Sequence, residues 1–190
     1  SYESVLAASI YGYGRAVVAG DHNWIADGWS HRYDNIPLLV NVVKWLCPKG
    51  APVYIDIKPA SWPNPLGLKS KGVLPVAVCG TEDFDVMAID PATVKIYIEG
   101  IAEGVSPIRW SYEDVSTPYI GEPGGGHSLG GDGYLDLVVH FDTTGVVTAL
   151  GLAGHMGETI PLIIRGNLYE EFNGTPIFGQ DYVLIIRLPF

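Results

Sequence analysis

Charge is scarce in this chain, and positive charge is the scarcer kind. Lys and Arg number 11 and Asp and Glu 21 among 190 residues, a net charge of −10 with His neutral. Charged residues make up 17%, against a usual ~25%. An acidic chain of this kind excludes a nucleic-acid binder, which needs a basic face to displace phosphate counterions. Cysteine is nearly absent. Cys47 and Cys79 allow one disulfide or two buried free thiols, and spacing does not choose between them. No apolar run approaches the ~18 residues of a membrane span; the longest, Ile36–Leu46 and Tyr182–Phe190, are interrupted by Asn41, Lys44 and Arg187. A C-x-x-C pair, a Walker loop, a complete G-x-G-x-x-G, internal repeats and coiled-coil heptads are all missing. The chain begins at Ser1 without a basic-then-apolar leader, so an exported form is expected to have lost its signal peptide already.

What is abundant points one way. Gly (24) and Pro (14) make up a fifth of the chain, while 47% of residues are hydrophobic. That many breakers exclude a long-helix protein, and that much apolar content excludes disorder. A compact, turn-rich, mainly β protein remains. Val5–Ile10 and Arg15–Ala19 are short apolar runs around Gly12-Tyr13-Gly14, the pattern of a β-hairpin. After a polar loop, Asp34 is placed to cap a helix reaching about Trp45, with Pro37 in its first turn and Leu38, Leu39, Val42, Val43 and Leu46 on one stripe. From Ala51 the period changes to 2. Val53, Ile55 and Ile57 alternate with Tyr54, Asp56 and Lys58; Val94, Ile96 and Ile98 with Lys95, Tyr97 and Glu99; Leu135, Leu137, Val139 and Phe141 with Tyr134, Asp136, Val138 and His140. Each reads as a half-buried antiparallel strand. Val73–Val78 reads as a more buried strand with Pro75 at an edge or bulge, and Leu162–Arg165 and Tyr182–Leu188 complete the set. Thr81–Met87 and Thr144–Leu150 are expected to add a helical turn each. The expected architecture is an antiparallel β-sandwich of the Ig-like or jelly-roll type, residues 51–190, preceded by a hairpin–helix segment, residues 1–50.

Several strings occur in an order that identifies a relative. They are Ile55-Asp56-Ile57-Lys58-Pro59, Leu68-Lys69-Ser70-Lys71-Gly72-Val73-Leu74-Pro75-Val76-Ala77-Val78, Thr81-Glu82-Asp83-Phe84-Asp85, Ile89-Asp90-Pro91-Ala92-Thr93-Val94, Arg109-Trp110-Ser111-Tyr112-Glu113-Asp114-Val115 and Asp132-Gly133-Tyr134-Leu135-Asp136-Leu137. Together, over about residues 52–190, they resemble a β-sandwich module attached to many secreted or surface proteins of bacteria and archaea. The resemblance implies an extracellular accessory or structural unit and no catalyst. Tyr11-Gly12-Tyr13-Gly14-Arg15-Ala16-Val17-Val18, with Asp34-Asn35 and Lys44-Trp45-Leu46, resembles the C-terminal end of a glutamine-amidotransferase-like α/β domain. The parts of such a domain that would carry an active site are not among these residues.

The secreted module resembled here usually carries an acidic, calcium-type loop before its Asp-Gly-Tyr strand. Calcium takes six to eight oxygens, supplied at alternate loop positions around a glycine. Asp132, Gly133 and Asp136 match the fifth, sixth and ninth positions, whereas the first and third are Ser128 and Gly130. Glu113, Asp114 and Glu122 are the candidates to replace the missing ligands, so the expected calcium set is Glu113, Asp114, Glu122, Asp132 and Asp136. A second acidic group, Glu82, Asp83, Asp85 and Asp90, reads as turn chemistry on a solvated face.

Gly126-His127-Ser128-Leu129-Gly130 satisfies the G-x-S-x-G spacing of a nucleophile elbow. That motif works only between a strand and a helix, and neither is expected beside it. Of the histidines, His127 lies in the acidic insertion as a candidate transition-metal ligand or a loop side chain bonded to backbone. His22 and His31 bracket a polar loop. Trp24, Trp29, Trp45, Trp62 and Trp110, with 11 tyrosines, fit a sugar-binding face, core packing or protein–protein anchors. Asn173-Gly174-Thr175 is a glycosylation sequon followed by Pro176. The expectation from all this is a non-enzymatic extracellular or cell-surface structural module, stabilised by calcium and assembling as a homo-oligomer or polymer (a filament, tube or layer) through aromatic and apolar surfaces. The alternative is a carbohydrate-binding or cell-wall-anchoring module of a secreted enzyme.

Overall fold

The computed structural model describes residues 6–11, 14–19 and 50–187. The chain divides into two units, Ser1–Gly50 and Ala51–Phe190, each considered by itself. In the first, β1 (Leu6–Tyr11) and β2 (Gly14–Ala19) pair antiparallel from Leu6 opposite Ala19 to Tyr11 opposite Gly14. This is the hairpin the glycines called for. The helix expected over 34–45 lies outside the described residues, as do Cys47, His22 and His31.

The second unit is mainly β, a sandwich of two sheets. Its strands are β3 (Ala51–Pro52), β4 (Ile55–Ile57), β5 (Pro65–Gly67), β6 (Val73–Val78), β7 (Ile89–Tyr97), β8 (Arg109–Glu113), β9 (Asp136–Asp142), β10 (Thr159–Leu168) and β11 (Pro176–Ile186). One sheet runs β3-β11-β10-β7, with β5 also on β11; the other runs β4-β6-β9-β8. The pairings of β11 with β3 and with β5 are parallel and the rest antiparallel. The inner faces supply the core. Ile57, Leu74, Val76, Val78, Leu137, Val139 and Phe141 come from one sheet, and Val94, Ile96, Leu162, Ile164, Ile177, Val183 and Ile185 from the other. Burying each such side chain is worth roughly 1.5–3 kcal/mol. The α-helix α1 (Thr143–Ala149) follows β9 directly. Asp142 caps it, its Oδ2 accepting from Gly145 N–H at 2.7 Å.

Four local expectations need correction. Pro75 lies in β6, which sits between β4 and β9 rather than at an edge. Its carbonyl accepts from Lys58 N–H. N–H and C=O of one strand residue point the same way, so the donor that proline lacks would face the place where β4 ends. Lys58 and Ala60, both with positive φ, turn the chain away there. Along β9 the alternation fails at its start: Leu135 is exposed and Asp136 is fully buried. Asp56, placed on the polar face by period 2, is also buried. The C-terminal strand is longer than expected and is occupied within its own sheet, between β10 on one side and β3 and β5 on the other.

Candidate functional site

Residues 114–135 form a long insertion between β8 and β9, and most of the expected site residues lie there. Asp136 stands at its far end, 0% exposed. Its Oδ1 accepts from Gly80 N–H at 3.0 Å, and its Oδ2 from Val115 and Ser116 N–H, each at 2.9 Å. Burial raises the Asp136 pKa, and the three backbone donors oppose the shift. Ser116, itself buried, donates its hydroxyl to Asp56 Oδ2 at 2.6 Å. Desolvation likewise raises the Asp56 pKa, against the pull of that hydroxyl. Two buried carboxylates thus hold one short segment, 115–116, against β4 and the end of β6.

Asp114 closes the base of the insertion. Its Oδ1 accepts from Asp132 N–H and its Oδ2 from Gly133 N–H, both at 2.9 Å. Gly131 packs so close to that carboxylate that a Cβ there would overlap it. Thr117 adds a rung by donating to Gly130 carbonyl at 2.7 Å. Asp132 Oδ1 accepts from Tyr134 N–H at 3.1 Å, and Glu113 Oε1 from the Ser111 hydroxyl at 2.6 Å. Glu122 is exposed, and its carbonyl accepts from Gly125 N–H. The expected calcium ligands are therefore turned largely toward backbone and hydroxyl donors. Among the described residues, no three His, Cys, Asp or Glu side chains are grouped so that they could hold one ion. Cys79 is a buried free thiol whose pKa burial pushes upward.

Ser128 is exposed in an irregular stretch, with no strand before it and no helix after it. The G-x-S-x-G spacing thus lacks the strand–turn–helix that raises a nucleophile. The acids of 82–90 do turn work, Asp85 Oδ1 accepting from Met87 N–H and Asp90 Oδ1 from Ala92 N–H. Trp62 is half-buried, its indole laid against Gly126, where a Cβ would overlap the ring. Trp110 is 48% exposed.

Sequence reasoning missed a second polar group beneath the insertion. Asn64, 1% exposed, donates its Nδ2 to Asp181 Oδ2 at 3.1 Å and to Tyr182 carbonyl at 3.0 Å. Asp181 Oδ2 also accepts from Ile57 N–H at 2.8 Å, and its Oδ1 from Tyr182 N–H at 2.7 Å. Desolvation pushes the Asp181 carboxyl up to about 6 despite those backbone donors. Asp56, Asn64 and Asp181 share with Trp62, Tyr119 and His127 a cavity of about 10 Å³. A signal existed in the sequence: Asp181 is the one acid within a strand otherwise rich in apolar residues, and Asn64 is an amide clasped between Pro63 and Pro65.

Comparison with known proteins adds a short likeness. No protein-family model matches the chain, and no solved structure matches it. TRPM8 channel-associated factor 3 of Mus musculus is 45% identical over 65 residues. That stretch is 33% of this chain and 6% of that protein, too small a share of either to assign a family. No helix among the described residues is long and apolar enough to cross a membrane.

Proposed function

We propose that the 51–190 sandwich is a non-enzymatic structural module of an extracellular or surface assembly, and that β8 with the insertion after it is its contact face. One observation carries the reading. Of twelve exposed large apolar side chains among the described residues, six fall within residues 108–135: Ile108, Trp110, Ile120, Leu129, Tyr134 and Leu135. Ile120 is 83% exposed. Apolar and aromatic side chains gathered on one segment mark an interaction surface more often than scattered ones do. β8 is an end strand of its sheet, the position from which a sheet can be extended by a partner strand. The buried carboxylates beneath hold that segment in place.

Sedimentation velocity and negative-stain microscopy of the full chain test this reading. Association is expected in the parent protein, and a drop of at least ~10-fold in apparent affinity on combining Trp110→Ser with Ile120→Ser. Ile120→Ser is expected to change stability by less than ~0.5 kcal/mol, since that side chain is largely in solvent, and Trp110→Ser, whose ring is half covered, by about 1 kcal/mol. A strictly monomeric parent protein at every concentration defeats the proposal. Calcium belongs to the proposal as a stabiliser of the insertion. Calorimetric titration of EDTA-treated protein with Ca²⁺ decides it, and no heat with no rise in Tm removes it.

A further inference from the structure

Among the described residues, two buried side-chain atoms have no hydrogen-bond partner: Asn64 Oδ1 and His127 Nε2. Both residues line the same small cavity, one on the sandwich side and one on the insertion. An orphaned buried polar group costs about 1–3 kcal/mol, so two facing one cavity call for a shared partner. Their polarities are opposite. Leu129 N–H points at His127 Nδ1 at 3.4 Å, which makes Nδ1 the acceptor and places the hydrogen of a neutral ring on Nε2. Asn64 donates its Nδ2 twice, leaving Oδ1 as a pure acceptor. Asp56 stands beside them with one carboxylate oxygen taken by Ser116.

We propose that this cavity is a built site for one small neutral hydrogen-bonding guest, a water molecule, accepting from His127 Nε2–H and donating to Asn64 Oδ1 and Asp56. The bridge fastens the middle of the insertion to the sandwich. A metal ion fits worse on two counts. It would meet an N–H where it needs a lone pair, and the carboxylates and imidazole are not grouped to share one ion. The size agrees, since about 10 Å³ is the room one water needs. Trp62 laid on Gly126 and Tyr119 edge-on to the His127 ring at 5.6 Å close the site from the side. The site deepens the proposed function by explaining what keeps the Ile120- and Leu129-bearing loop in one conformation, yet its test does not depend on assembly.

Two measurements on the full chain decide it. A crystal structure at atomic resolution is expected to show one water within hydrogen-bond distance of both His127 Nε2 and Asn64 Oδ1. Hydrogen exchange is expected to quicken about five- to tenfold at amides of 118–131 in His127→Ala, the loss of one bridged bond, with β6 and β9 unchanged. His127→Gln keeps an N–H donor and is expected to leave the insertion better protected than His127→Ala does. A metal ion in the cavity, a His127 ring turned out to solvent, or unchanged exchange in His127→Ala would each overturn the proposal.

Discussion

Two acidic stretches of similar composition behave differently. In the turn region 81–90, carboxylates accept from amides two residues on, as Asp85 does from Met87 and Asp90 from Ala92. In the insertion and its ends, Asp114 reaches residues 132 and 133, and Asp136 reaches back to Gly80, Val115 and Ser116. The first kind shapes its own turn and could be deleted without disturbing much else. The second joins parts of the chain far apart in sequence, and Asp136 is also buried, so its removal leaves donors that water cannot reach. Acid content alone is therefore a poor guide to cation binding: a buried carboxylate is as well served by several backbone N–H groups as by an ion.

The sharpest break of that contrast is Asp136→Ala, which orphans three backbone donors at once. A loss of about 3–5 kcal/mol in urea unfolding at neutral pH is expected. A loss below ~1 kcal/mol would show that the insertion is anchored by something else. Next comes a pH effect. Asp181 has a folded pKa of about 6, above the ordinary carboxylate value, so the folded state holds the proton more tightly. Its contribution is fully present below about pH 4 and is lost as pH rises through 6. The stability of the parent protein relative to Asp181→Asn should fall by an amount on the order of 2 kcal/mol over that window and stay level above it. A difference that does not change with pH would contradict the buried setting of this acid. The smallest effect sharpens the other side of the comparison. Asp85→Ala and Asp90→Ala should each cost about 0.5–1 kcal/mol, the value of a local cap or turn bond. A cost as large as that of Asp136→Ala would erase the distinction between local and long-range acids.

The legible part of the fold is the local part. Alternation marked Val94, Ile96, Leu137, Val139 and Phe141 as core, and all are buried. The glycine-centred hairpin pairs as its turn requires. Asp56 and Asp136 were read as polar-face residues because period 2 says which side a residue takes but not what covers that side. The insertion covers it, and Ser116 and its neighbours meet both acids there. Asn64 and Asp181 are each conspicuous in the sequence, but their pairing was hidden for the same reason, the two being 117 positions apart.

Composition and period determined that this chain is β-rich, acidic and closed around an apolar core, because burial and strand geometry act residue by residue. Which acids are buried, which donors satisfy them, and that β11 is used up inside its own sheet were decided only by tertiary structure. Hydrogen bonds between distant segments depend on where the chain returns, and no local pattern encodes that return.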